Sequence, residues 1–311
     1  MNNMLWLIRR EIWENRSLWI APLVLAGVIL ITAAFGGIHI GDNDVPWMGY
    51  GSHDAHNEEI RNALAATPLD KKQMIYAMTI SMFTVIQLLI MTIVLFFYLL
   101  DSLLAERKDR SILFWKSLPV SDGEVVTSKL LTAIVVTPLF VLAVSAVLQL
   151  LVGGVLWIRF HSSLFGDVLM PWDAGTWFSV QASFLVFIAA AMLWYLPLIA
   201  YLMVVSVWAR RNAFLWAVLP PLSILLIEGM INQSHHFGDF LGRRIVGIFQ
   251  LFDFSSSTTG RHGPPESLPS LGEILAHISS AFTSQETWFG VLAAAAMIFV
   301  TIRVRRFRDD S

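Results

Sequence analysis

The stretch MIYAMTISMFTVIQLLIMTIVLFFYLL, Met74 to Leu100, runs for twenty-seven residues without a charged side chain. At 1.5 Å of rise per residue, about 20 apolar residues already cross the ~30 Å hydrocarbon core of a bilayer, so this run reads as a membrane-spanning helix. Five further runs are comparably long and apolar, the last two with one glutamate each: Leu18 to Ile38, Leu130 to Ile158, Trp177 to Trp208, Ala213 to Ile231 and Gln285 to Ile302. The bulk composition agrees. Of 311 residues, 56% are hydrophobic and only 14% charged, against roughly 25% charged in soluble domains. Mean hydropathy is +0.65. The expected fold is an all-α integral membrane protein of six transmembrane helices in a single transmembrane domain, residues 1–311.

A formal net charge of −2 gives no reason to expect nucleic acid or a polyanionic substrate. The absence of cysteine excludes disulfides, thiol chemistry and thiolate metal sites. The first apolar run is too long for a secretory signal and lacks a following Ala-x-Ala cleavage site, so it is expected to stay.

Charge asymmetry sets the orientation. Residues 1–17, 101–129, 209–212 and 303–311 carry fourteen Lys and Arg, whereas the longer set of loops 39–73, 159–176 and 232–284 carries seven. The positive-inside rule places both termini and segment 101–129 in the cytoplasm, as an even number of spans requires. Pro138, Pro197, Pro220 and Pro221 fall inside apolar runs, where kinks rather than breaks are expected. Ahead of the first span, Leu5, Ile8 and Ile12 share a helical face, and Trp6, Trp13 and Trp19 are suited to the headgroup region. Residues 1–17 therefore read as an amphipathic elbow helix in the interface plane.

Between the second and third spans lies ERKDRSILFWKSLPVSDGEVVTSK, Glu106 to Lys129. Ser121 and Glu124 form an S-x-x-E capping box, so a helix starts after Pro119-Val120-Ser121 and runs through Lys129 into the third span. Upstream, Asp101 to Ser117 reads as a continuation of the second span. Its block Ile112, Leu113, Phe114 and Trp115 is too short to cross lipid. Ringed by Arg107, Lys108, Arg110 and Lys116, that block suits either a groove on another protein or a bed of lipid headgroups.

This segment resembles the intracellular motif of type-2 ABC transporter permeases: Glu-Arg, a Ser or Thr, Pro-Val-Ser, a Glu, then Ser-Lys or Gly-Lys at the next helix. The matching positions are Glu106, Arg107, Ser111, Pro119, Val120, Ser121, Glu124, Ser128 and Lys129. Arg110 stands where many relatives carry Gly. The resemblance implies that residues 101–129 form a cytoplasmic coupling segment received by a separate ATPase subunit, with Arg110, Phe114 and Trp115 among its contacts. It further implies two permease copies, a homodimer here, with two ATPase subunits in the cell inner (plasma) membrane. ATP and magnesium would bind the partner, and this chain would be no enzyme and hold no cofactor. In keeping with that, no Gly-Lys dipeptide occurs, hence no phosphate loop. Coupling helices acting as rigid links would carry ATPase closure into spans two and three, giving alternating access and export.

The last outer segment, 232–284, is expected to hold re-entrant or short interfacial helices around Phe237 to Phe254, and a second short helix capped by Ser270 and Glu273. Glu228 is the acidic residue set deepest in a span, an expensive place for a carboxylate. It could couple an ion gradient, pair with Arg243 or cap a re-entrant helix. Gln87, Gln149 and Gln181 could line a path or bridge helices. His53, His56 and Glu59 share a three-residue spacing, yet without cysteine they make a weak metal motif, and no metal site is expected. The rival functional classes are a gradient-driven secondary transporter using Glu228 and a non-transporting membrane scaffold. The scarcity of buried charge in spans one to four favours an apolar or amphipathic cargo.

Overall fold

The computed structural model describes residues 3–36, 68–108, 120–160, 173–232, 236–248, 272, 276, 279 and 282–307. Among these there is no strand. Helix α1 (Asn3–Glu14) leads through a break at Asn15 and Arg16 into α2 (Ser17–Phe35). Then follow α3 (Leu69–Asp101), a short α4 (Leu104–Lys108), α5 (Asp122–Leu131), α6 (Thr137–Phe160), α7 (Ala174–Trp208), α8 (Ala213–Ile227), α9 (His236–Val246) and α10 (Gln285–Phe307).

Six of the helical stretches are long and apolar enough to cross a membrane: Ser17–Phe35, Leu69–Lys108, Asp122–Arg159, Ala174–Trp208, Ala213–Met230 and Gln285–Phe307. Their limits differ from the sequence reading mainly where polar turns extend an apolar run. The second span begins at Leu69 rather than Met74, and the last continues past Ile302 to Phe307. A helix propagates through polar residues at little cost once its apolar middle is fixed. The second span runs on past Asp101 through a turn at Ser102 and Leu103 into α4, reaching Lys108, as a continuation of that helix anticipates.

The outer surface is apolar. Leu23, Val24, Val28 and Ile31 of α2 are 46–61% exposed, as are Ile93 and Phe97 of α3 at 59% and 55%. A continuous apolar sheath of this kind is stable only against lipid. Side-chain hydroxyls on it are satisfied within their own helix: Thr32, Thr79 and Thr92 each donate to the carbonyl four residues back, at 2.8–2.9 Å. The buried core joins Leu18, Met91, Leu95, Leu99, Val126, Val141 and Met203, so α2, α3, α5, α6 and α7 converge on one seam.

The prolines do not break the spans. Pro22, Pro197, Pro220 and Pro221 lie inside continuous helices. Pro138 is accommodated by a π-helical turn, Thr132–Val136, directly before it. The proline ring would clash with the carbonyl four residues back, and one wider turn relieves that clash. A second π turn, Glu228–Asn232, ends α8.

Asp173 caps α7: its Oδ2 accepts from the Thr176 backbone N–H at 2.8 Å and from the Thr176 hydroxyl. Those bonds from Thr176 hold its carboxyl below the ordinary value.

Candidate functional site

One end of the bundle gathers the end of α1, the end of α3 with α4, α5 leading into α6, and the end of α10 around a buried cluster of charges. Glu11, Glu106, Lys129 and Arg305 are 0%, 6%, 2% and 3% exposed. Lys129 Nζ lies 2.8 Å from Glu11 Oε1 and 3.1 Å from Glu106 Oε1. Arg305 spans two acids, with Nη1 2.7 Å from Glu106 Oε2 and Nε 2.9 Å from Asp122 Oδ1. Arg10 Nη2 reaches Glu106 Oε1 at 3.1 Å, while its Nε donates to Glu14 Oε1 at 2.8 Å. Burial works against the Arg10 charge, but Glu14, Glu11 and Glu106 outweigh it and hold the guanidinium above its ordinary value. Tyr98 and Asn15 donate to Glu11 Oε2 at 3.2 and 3.3 Å.

Glu106 is the hub, since Arg10, Lys129 and Arg305 all converge on it. Desolvating each of these ions costs several kcal/mol, so the cluster persists only because every charge meets an opposite one and spare lone pairs are hydrogen-bonded. The arrangement fastens four elements far apart in sequence into one rigid knot.

Beside it, the turn after α3 is locked to the end of α7. Ser206 Oγ accepts from the backbone N–H of Leu103 and Leu104, at 3.1 and 3.2 Å. Arg107 Nη2 donates to the carbonyls of Ser206 and Ala209 at 2.8 and 2.7 Å. These are the orphan acceptors of a helix C-terminus, where a cation is further favoured by the helix dipole. Arg107→Ala should lower stability by about 1.5–3 kcal/mol, the range for charge-assisted hydrogen bonds. Thermal unfolding followed by tryptophan fluorescence reads it.

The capping box is present as the spacing anticipates: Ser121 N–H donates to Glu124 Oε2 at 2.8 Å, and Glu124 N–H donates to Ser121 Oγ at 3.2 Å. Ser128 Oγ donates to Val125 O within the same helix. Of the motif positions, then, Glu106 and Lys129 meet directly, Arg107 grips α7, and Ser121 with Glu124 starts α5. Arg110, Ser111, Phe114, Trp115 and Pro119 lie outside the described residues.

Arg10, Glu11, Asp122 and Arg305 all escaped sequence reading. Glu11 sits on the inner face of α1 together with Leu7, which is 2% exposed, whereas Leu5 is 64% exposed. The inward stripe is thus shifted from the Leu5, Ile8 and Ile12 face. Asp122 and Arg305 lie 183 residues apart, a pairing no local pattern signals. An acid at helical spacing from an inward Leu was the available clue for Glu11.

The intramembrane candidates fall into three situations. Gln149 donates to Ile80 O at 3.0 Å and Thr84 Oγ1 at 2.8 Å, and accepts from Gln181, so it bridges three helices. Thr84 in turn donates to Ser145 Oγ at 3.4 Å. Gln87 is 1% exposed, and neither of its amide atoms has a hydrogen-bond partner. Glu228 accepts from the Phe237 N–H with both oxygens, at 2.9 and 3.2 Å, and so caps α9.

At this opposite end Arg244 is 6% exposed, its guanidinium 4.7 Å from the Trp194 ring centroid and its Nη2 3.2 Å from Glu286 O. Arg243 beside it is exposed. Burial pushes the Arg244 guanidinium below its ordinary value, and Glu286 offsets part of that. The notch exists because position 290 is Gly: a Cβ there would overlap Arg244 Nη2, lying 2.9 Å from its Cζ and 3.3 Å from Pro197 Cγ. Gly290→Ala should therefore cost about 1–3 kcal/mol through overpacking, measured as a drop in thermal unfolding midpoint. The expected second short helix at Ser270 and Glu273, and the residues His53, His56 and Glu59, lie outside the described residues.

Compared with protein-family models, with curated proteins and with solved structures, the chain matches none.

Proposed function

We propose that this chain is the membrane-spanning permease subunit of an ATP-driven ABC exporter, working as a dimer with two copies of an ATPase subunit. Both termini face the cytoplasm of a cell inner (plasma) membrane, and ATP with magnesium binds the partner. The observation that carries the reading is the convergence of motif residues Glu106 and Lys129 in one buried ionic knot. The knot, with the Arg107 grip on α7, ties the chain to the bundle on either side of segment 109–119. A segment so anchored can pass a push from an outside partner into α3, α5 and α10 together. A headgroup-bound connector would gain nothing from such a base.

The six apolar helices with a sheathed exterior suit a transport path built between two copies, and the hydrogen-bonded Gln149 seam leaves spans one to four without an ion pair in the membrane middle. Cargo is therefore apolar or amphipathic. A gradient-driven mechanism would need Glu228 to load and release a proton or cation, yet both its oxygens are engaged by the α9 backbone. This engagement supports a structural carboxylate.

The experiment is co-purification. The tagged full chain, extracted in mild detergent from its native membrane, should bring down an ATPase whose turnover rises at least severalfold when the pair is placed in lipid. Purification without any ATPase, or transport in vesicles driven by a proton or sodium gradient with no nucleotide, overturns the proposal.

A further inference from the structure

A groove of about 720 Å³ opens at the knot end of the bundle, between the start of α2, the end of α3 with α4, and the start of α8. Its lipid-facing walls are apolar, formed by Ile93 and Phe97 of α3 and Phe214 of α8, all at least half exposed. Its mouth is charged, carrying Lys108, Asp101 and Arg211. Neither cation has an ion-pair partner among the described residues, although the neighbouring knot pairs every charge it holds.

The mouth also contains the first turn of α8. Asn212 at its N-cap makes no side-chain cap, so the first backbone N–H groups of this 15-residue helix, whose residues Asn212 to Leu215 line the groove, receive no acceptor from that side chain. Depth is marked by Trp208 and Trp216, packed edge to face at 4.6 Å and both nearly half exposed, as aromatic side chains are at the headgroup level.

We infer that this groove is a binding site for an anionic phospholipid of the leaflet on the knot side. The phosphate lies against Arg211, Lys108 and the open turn of α8, and an acyl chain runs along Phe97, Ile93 and Phe214. Charge complementarity selects the lipid class. Two cations and one carboxylate leave the mouth singly positive, matched by one phosphodiester. A headgroup that adds an ammonium leaves a positive charge uncompensated. The site borders segment 109–119 through Lys108, and it stands independently of the transport reading.

Delipidated full-length protein in detergent tests it by titration with four probes: dioleoyl phosphatidylglycerol, dioleoyl phosphatidylethanolamine, dioleoylglycerol and glycerol 3-phosphate. Phosphatidylglycerol is expected to bind at least fivefold tighter than phosphatidylethanolamine and at least a hundredfold tighter than glycerol 3-phosphate, with dioleoylglycerol weaker still. Lys108→Gln/Arg211→Gln should weaken phosphatidylglycerol at least tenfold, while Arg303→Gln, an exposed cation at the same end outside the groove, should leave it within twofold. Equal binding of dioleoylglycerol, equal binding of glycerol 3-phosphate, or indifference to the double substitution overturns the site. Should the double variant misfold, the wild-type chain still decides. A phosphatidylglycerol bearing a photoreactive acyl chain must label peptides containing Phe97 and Phe214, and labelling spread evenly over the six helices refutes the groove.

Discussion

Glu106→Gln should lower folding stability by about 3–5 kcal/mol, the cost of stranding buried charge. The substitution keeps the size and hydrogen-bonding capacity of the side chain and removes only its charge. Lys129 is then left with Glu11, Arg305 with Asp122 and Arg10 with the half-exposed Glu14, so the buried part of the cluster, Glu14 aside, carries one positive charge that no buried carboxylate meets. The control is the double variant Glu106→Gln/Lys129→Met, which restores charge balance. It should lose less than the sum of the two single losses, by 1 kcal/mol or more. Tryptophan fluorescence is the natural probe, with 12 tryptophans and no cysteine for thiol dyes. A single variant within about 1 kcal/mol of wild type, or additive losses, would mean that water penetrates the knot and screens it.

The second large effect is functional. Phe114→Ala/Trp115→Ala should abolish most of the stimulation of the ATPase partner while leaving membrane insertion and unfolding temperature unchanged. The rationale combines the sequence and the fold. Phe114 and Trp115 stand in a segment whose two flanks are bolted to the bundle, by Glu106 with Arg107 on one side and by Lys129 on the other. Aromatic anchors in such a place dominate interface energetics, with about 2 kcal/mol or more lost per truncated hot spot. Binding of the ATPase should weaken by at least an order of magnitude, and ATP-dependent transport with it. ATPase stimulation retained in full would count against docking through this segment.

The six spans were legible because lipid imposes a simple demand: a long uncharged run with its backbone bonded internally. The α5 start was legible for a similarly local reason, since Ser121 and Glu124 complete each other within one turn. The charge knot was only half visible. Glu106 and Lys129 belong to a recognisable segment, but Glu11 was hidden on a helix judged by its apolar residues, and Arg305 sits in what reads as a cationic tail. Pairings across 118 and 199 residues depend on how helices are threaded, which no periodicity encodes. Glu228 shows the opposite case. Capping stood among its readings because its place near a span end, close to a following short helix, restricts what a carboxylate can reach.

The π turn at Thr132–Val136 has a mechanical consequence. Below it, α5 is tied to α1 and α10; above it, α6 lies against α2 and α3. π turns are among the places where helices kink, so a bend of the third span would be taken up there first, as at a wrist between forearm and hand. Force arriving at Asp122 can swivel the hand while the forearm keeps its seat, and the rigid-rod picture of that helix gives way to a jointed one.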